Sequence, residues 1–341
     1  MTALFGHTRF WNQDVSVGIV ADEFKKVMQN ASTGEALTMS ICCLFLSITI
    51  VVENSLVIAA VWKDPLKTLR SSPTVFILLE LAIADLFVGL VLAPSSAIWY
   101  LRIAMKNDPW KSLFLVMMFS QFFLIVSVFH VLLLAIDRYF AIGKPLEYRA
   151  IITKRRVFIG SLSIWVFSFG YALLSLILQA RALVLWFIYV LLIWLLSEGI
   201  TFLYLVTLRN LFSYYRTRIT EENFRCNLDL LYQREKKVFV VILSVILVFY
   251  FCFIPWLTNE FLLFFCRACR GNYRLLIIGY HVATLLTFIN SALNPLLYSW
   301  RFSKFRATFK CFWTTCFCQK GRRRRKTLEI IQEKQTNDTR L

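Results

Sequence analysis

The sequence predicts an all-α membrane protein, a bundle of seven transmembrane helices. Three observations carry this expectation. Only 17% of the 341 residues are charged while 58% are hydrophobic; long apolar runs recur along the chain; and Lys and Arg are shared unequally between alternate connections. A soluble fold keeps a charged shell of roughly a quarter of its residues, so water is not the main solvent for this surface. A bilayer core about 30 Å thick takes roughly 20 helical residues at about 1.5 Å each.

Seven runs meet that length: Leu37 to Trp62, Thr74 to Tyr100, Leu113 to Phe140, Val157 to Leu178, Ala182 to Leu208, Val238 to Phe265 and Leu275 to Trp300. Before the first stand about thirty-five polar or mixed residues, with no basic start and no small-residue cleavage site beside the run, so it is expected to stay as a span rather than be removed. An odd number of spans puts the two ends on opposite sides. With the amino end outside, 10 of the 38 Lys and Arg fall in outer segments and the other 28 in inner ones, the bias expected of a cytoplasmic carboxyl end. The expected organisation is an outer segment 1–36, the bundle 37–300, a juxtamembrane segment 301–318 and a basic cytoplasmic tail 319–341, in a multi-pass protein of the plasma membrane.

Much of the net charge of +18 is therefore cytosolic. The run Arg322-Arg323-Arg324-Arg325-Lys326 directly follows a membrane-anchored segment, which favours anionic lipid over nucleic acid as its partner. The connections are short apart from an inner loop of about twenty residues around Thr217 to Arg234 and the tail. No internal repeat and no matched pair of Gly- or Pro-broken helices is visible, which weakens a transporter reading. Asn30-Ala31-Ser32 is a glycosylation sequon on the outer side, whereas Asn337-Asp338-Thr339 falls inside and is expected to stay bare.

Polar side chains within spans are costly, by roughly 2.5–3.5 kcal/mol for a central charge, so each needs a partner or a purpose. Asn54, Asp85, Ser127, Asn290, Ser291 and Asn294 all stand near mid-span. Asn290 and Asn294 are four apart and share a helix face. One carboxylate among neutral oxygens suits a small hard cation such as sodium; the other reading is that these groups only hydrogen-bond to each other and pin helices together. Pro295 fits either, since a mid-membrane proline frees a carbonyl that neighbours must satisfy. At the inner end of the third span, Asp137-Arg138-Tyr139 meets the basic loop. Such an Arg can simply snorkel, or Arg138 can pair with Glu235, which opens the sixth span, in a tie that a partner breaks.

In order along the chain, Glu53-Asn54, Leu81-Ala82-Ile83-Ala84-Asp85, Asp137-Arg138-Tyr139, Trp165, Pro255 and Asn294-Pro295-Leu296-Leu297-Tyr298 place one signature on each expected helix apart from the fifth. This set resembles the rhodopsin-like G-protein-coupled receptor family, over about Leu37 to Cys318. The resemblance implies that Asp85, Asn54, Ser127, Asn290, Ser291 and Asn294 form an allosteric sodium pocket. It implies that Arg138 is released to meet a heterotrimeric G protein after restraint by Asp137 and Glu235. Tyr204 and Tyr298 resemble the tyrosines that stabilise the active bundle. Phe305 and the basic stretch after it resemble a short amphipathic eighth helix on the membrane. Arrestin is a further implied partner. Cys311, Cys316 and Cys318 beside that stretch are candidates for palmitoylation, against the reading of reduced cytosolic thiols.

The chain also departs from the family. Leu113 stands where most members carry the helix-three cysteine of an outer disulfide, and the second outer loop is only a few residues around Gln179-Ala180-Arg181. Cys266 and Cys269 lie in the third outer loop, where an oxidising setting favours a small disulfide over zinc. Leu196 replaces the usual helix-five proline and Phe253 the helix-six tryptophan. Glu53, the absent disulfide, the short loop and the absent proline are similar to the melanocortin, lysophospholipid and cannabinoid branch, and Asp137 to Thr153 also resembles adenosine receptors.

Ser120 stands where amine receptors carry a carboxylate, which disfavours a biogenic amine. Phe288 stands where opsins carry the retinal lysine. Ser95, Leu113 and Met117 replace the calcium-binding acids of melanocortin receptors. Candidates for an outer ligand pocket are Ser120, Gln121, Phe253, Asn259, Glu260, Tyr280, His281 and Thr284, with Glu260 a ready partner for a cationic group. The resemblance thus implies an extracellular ligand of unidentified type, peptide, lipid or nucleoside-like. No metal-ligand set and no nucleophile with a base is visible, and His130 stands alone within its span, so no enzyme is expected and no cofactor beyond sodium. A transporter or ion channel using Asp85 is the alternative.

Overall fold

Ser32 starts the first helix by a reciprocal cap: its hydroxyl accepts the Glu35 backbone N–H at 3.2 Å while the Glu35 carboxylate accepts the Ser32 N–H at 3.1 Å. From there the computed structural model describes residues 27–28, 30–64, 69, 72–108, 110–178, 182–218, 226–270 and 272–301. Among the described residues, seven helices are long and apolar enough to cross a membrane. They are α1 Thr33–Lys63, α2 Pro73–Ala104, α3 Trp110–Gly143, α4 Lys154–Ile177, α5 Ala182–Arg218, α6 Cys226–Phe265 and α7 Tyr273–Arg301. The fold is a seven-transmembrane helix bundle. No strand occurs among the described residues. The expected eighth helix, with Cys311, Cys316 and Cys318, lies outside them.

Several ends differ from the sequence expectation. α5 runs on to Arg218 and α6 begins at Cys226, so both helices extend into the expected inner loop and Glu235 lies inside α6 rather than opening it. Hydropathy stops where charges begin, but a helix needs only its own backbone bonds and continues into polar surroundings.

The bundle is arranged around α3, which touches α2, α4, α5 and α6, while α7 closes the ring between α6 and α1. α2 is interrupted by a π turn at Val88–Leu92, where the Ala93 N–H reaches back to Val88 O. One extra residue in the turn rotates everything beyond it by about 100°, and Ser96, Trp99 and Tyr100 all end up buried. The turn also fits closely on α1. Ser47 donates to Gly89 O at 2.7 Å, and a Cβ at Gly89 would stand 2.9 Å from Ile50 Cγ2. Large side chains such as Phe45, Ile48, Phe202 and Phe251 face outward, as lipid contact requires and water would not favour.

Candidate functional site

At the Arg138 end of the bundle, Arg138 does not snorkel. It is 3% exposed and its neighbour Asp137 1%. Arg138 Nε donates to Asp137 Oδ2 at 3.0 Å, and Nη2 donates to Thr74 Oγ1 of α2 at 2.8 Å. The Thr74 hydroxyl donates in turn to Asp137 Oδ2 at 2.8 Å. The second carboxylate oxygen accepts the Tyr148 hydroxyl at 2.7 Å, from the short helix Tyr148–Ile151 after α3. Burial, and then the Asp137 charge, push the Tyr148 phenol above its ordinary value, so it stays a neutral donor. The carboxylate is thus fully occupied, and the guanidinium is neutralised inside the protein.

Tyr139 projects beside this pair against Phe140. Tyr204 is buried on α5 and stacks on Phe239 of α6 at 5.3 Å, its hydroxyl having no hydrogen-bond partner among the described residues. The side chains of Glu235 and Tyr298 lie outside the described residues.

Halfway along the bundle, the mid-span polar residues of α1, α2 and α7 come together. Asn54 donates to Ile50 O at 3.0 Å and Ser291 O at 3.2 Å, and Asn294 donates to Asp85 Oδ2 at 2.8 Å. Asn54 and Asp85 are wholly buried. Four buried oxygens, Asn54 Oδ1, Asp85 Oδ1, Asn290 Oδ1 and Asn294 Oδ1, have no hydrogen-bond partner among the described residues. Leaving acceptors bare in a bundle is costly. These oxygens, one of them from a carboxyl group, therefore fit a hard cation.

Above this cluster, toward the Glu260 end, lies a cavity of about 390 Å³. Ser127, Asn290 and Ser291 form its floor and so join it to the polar cluster. Of the expected ligand candidates, Ser120, Gln121, Phe253, Glu260, Tyr280 and Thr284 line it. Asn259 and His281 do not. Asn259 is buried against the bare backbone of Gly279, and His281 packs edge-on to Tyr100 at 5.5 Å. Both stand next to a lining residue in sequence, and the roughly 100° step per helical residue turns them off the cavity. Trp99, Tyr100, Trp186, Tyr189 and Trp256 also line it. Sequence reasoning missed them because an aromatic residue in a span reads equally as lipid contact.

Val27 and Met28, 2% and 1% exposed, pack in one apolar cluster with Trp99, Tyr100 and Leu113. Residues ahead of α1 thus cover the cavity wall. Glu35 of α1 pairs with Arg274 of α7 nearby, and Cys266 is joined to Cys269.

A model of the 7 transmembrane receptor (rhodopsin family) matches residues 53–184. By this match the chain resembles the rhodopsin-like receptor family. Two of the relatives span most of this chain. Histamine H2 receptor of Cavia porcellus is 28% identical over 300 residues, covering 80% of this chain and 78% of the relative. Melanocortin receptor 4 of Danio rerio is 28% identical over 284 residues, covering 79% and 83%. Dopamine receptor 4 of Caenorhabditis elegans is 35% identical over a shorter stretch of 124 residues, covering 35% and 22%.

Within the bundle one polar group of the spans finds a partner that the sequence hid. His130, on α3, is not alone: its ring nitrogens meet Val126 O at 2.8 Å and Ser161 Oγ of α4 at 2.9 Å. Since a carbonyl can only accept, Nδ1 carries the proton and Nε2 accepts from Ser161. Next to it the Trp165 indole donates to Glu80 Oε2 of α2 at 2.9 Å.

Proposed function

We propose that this receptor binds an extracellular ligand with one cationic group and an apolar or aromatic body, and passes the event to a heterotrimeric G protein at the Arg138 end. The observation that carries the ligand half is Glu260 in the cavity wall. It is the one acid among the described lining residues, and no Lys, Arg or His lines the cavity with it. Trp186, Trp256, Tyr189 and Tyr280 supply apolar and cation-attracting faces around it. Ser120 removes the helix-three acid, so Glu260 on α6 is the counter-ion in its place.

Relatives named for histamine and dopamine, both small amines, agree with a cationic ligand. A volume of about 390 Å³ suits a small molecule better than a folded peptide.

The signalling half rests on the buried Asp137–Arg138 pair. In this reading the pair, with Glu235, holds the resting state, and release of Arg138 makes the G-protein contact, supported by Tyr204 and Tyr298; arrestin uses the same face. Sodium fits the bare oxygens around Asp85 and stabilises the resting bundle from between the two ends. The excess of Lys and Arg at the Arg138 end supports a cytoplasmic position for it and an outward cavity at the plasma membrane.

The test is a panel of cationic, neutral and anionic small molecules applied to cells expressing the receptor, read by dissociation of a G-protein heterotrimer. Activation confined to cationic members is expected. Activation by anionic members alone would overturn the ligand half.

A further inference from the structure

Glu198 stands in the middle of the membrane-crossing part of α5, Val184–Ser213, roughly 20 Å along the helix from either end. Its side chain is exposed. Among the described residues it takes part in no hydrogen bond or ion pair, only a through-space interaction with the Tyr250 phenol of α6. A bare acid at that depth faces hydrocarbon, and its short side chain cannot reach the headgroups as a Lys or Arg can.

The residues around it form a seam. Leu191, Trp194, Leu195, Phe202 and Leu205 are all 49–66% exposed and flank Glu198 at spacings of three, four and seven. That repeat is the one by which two helices pack side by side, and a single polar residue within such a seam sets partner and register. One residue before the exposed acid and three residues after it, α5 is tied to α6. The Tyr250 hydroxyl donates to Ser197 O at 2.6 Å and lies 2.7 Å from Thr201 Oγ1.

The depth selects the occupant. The amine of a lipid stays at the headgroups, far from the midplane. A second copy of this chain in the same register would bring a second acid, which supplies no opposite charge. A basic side chain carried into the bilayer on a helix meets the carboxylate at its own level and is itself relieved of the cost of a lone charge.

We propose that the face of α5 centred on Glu198 docks a transmembrane helix of a partner protein that bears a Lys or Arg near its midpoint. This rests on the membrane-spanning fold and not on the ligand or the G-protein reading, so it stands or falls separately from them.

The test uses the full-length receptor, fluorescently labelled, in phosphatidylcholine vesicles. The probe is a labelled leucine-rich helix of about 23 residues with Arg at its centre, compared with the same helix carrying Leu there. Energy transfer is expected to show the Arg helix binding about tenfold or more tightly than the Leu helix. Glu198→Gln is expected to bring the two together, and Glu198→Asp to keep the preference. Equal binding of both helices to the native receptor would overturn the proposal, as would an undiminished preference in Glu198→Gln. Self-association of the receptor that depends on Glu198 would also overturn it, because the occupant would then be a second copy. Unchanged thermal unfolding of each variant confirms that the exposed substitution leaves the bundle intact.

Discussion

Tyr148 donates its hydroxyl to Asp137 Oδ1, while Arg138 and Thr74 share Oδ2 of the same carboxylate. The loop after α3 is thereby fastened to the charge that holds the arginine. A hydrogen bond to a charged group is worth about 1.5 kcal/mol or more, close to a tenfold shift between two states. Tyr148→Phe is expected to raise ligand-free nucleotide exchange several-fold at equal surface expression. Unchanged exchange would detach Tyr148 from the resting state.

The bare oxygens around Asp85 predict a cation effect with a definite sign. Replacing potassium by sodium is expected to lower ligand-free nucleotide exchange of the native receptor. Asp85→Asn is expected to lose the sodium dependence, because a neutral amide takes away the one formal charge of the set. A sodium effect that survives this substitution would place the ion elsewhere.

Glu260→Gln keeps the shape of the cavity wall and removes its charge. For a cationic agonist the loss of a charged hydrogen bond predicts a fall in potency of about tenfold or more. Maximal response should be little changed, since the Arg138 site is untouched. Dose–response curves in cells measure both, and an unshifted curve would remove Glu260 from the ligand site.

Glu80 tests the link between α2 and α4. Glu80→Ala leaves the Trp165 indole N–H without its acceptor, at a cost of about 1–3 kcal/mol, whereas Glu80→Gln still offers a carbonyl oxygen. Thermal unfolding in detergent is expected to fall clearly for the alanine variant and little for the glutamine one. Equal losses in the two would show that charge, rather than the hydrogen bond, matters there.

The seven spans were legible because hydrocarbon imposes its thickness on the sequence, run by run. The helix ends beyond Leu208 and before Val238 were not, since hydropathy is silent once a helix leaves the bilayer. Asp85, Asn54 and Asn294 could be picked out as polar residues in apolar runs. Their meeting depends on three helices far apart in sequence, which spacing alone does not encode. Thr74 and Tyr148 escaped notice for the opposite reason: at a helix start and in a polar loop, a hydroxyl has nothing unusual about it. Asn259 and His281 show the limit of choosing pocket residues by position along a helix, because one residue's rotation separates cavity from wall.

A buried arginine, held by Asp137, is proposed as the switch by which this protein engages a G protein. The direct measurement is nucleotide exchange on a purified heterotrimer by receptor reconstituted in vesicles, with sodium flux followed in the same vesicles. Asp137→Asn, which weakens the restraint, is expected to accelerate exchange, and adding Arg138→Ala to it should abolish the acceleration with no flux in either case. Exchange that persists without Arg138, or sodium flux without exchange, would rule out Arg138 as the switch.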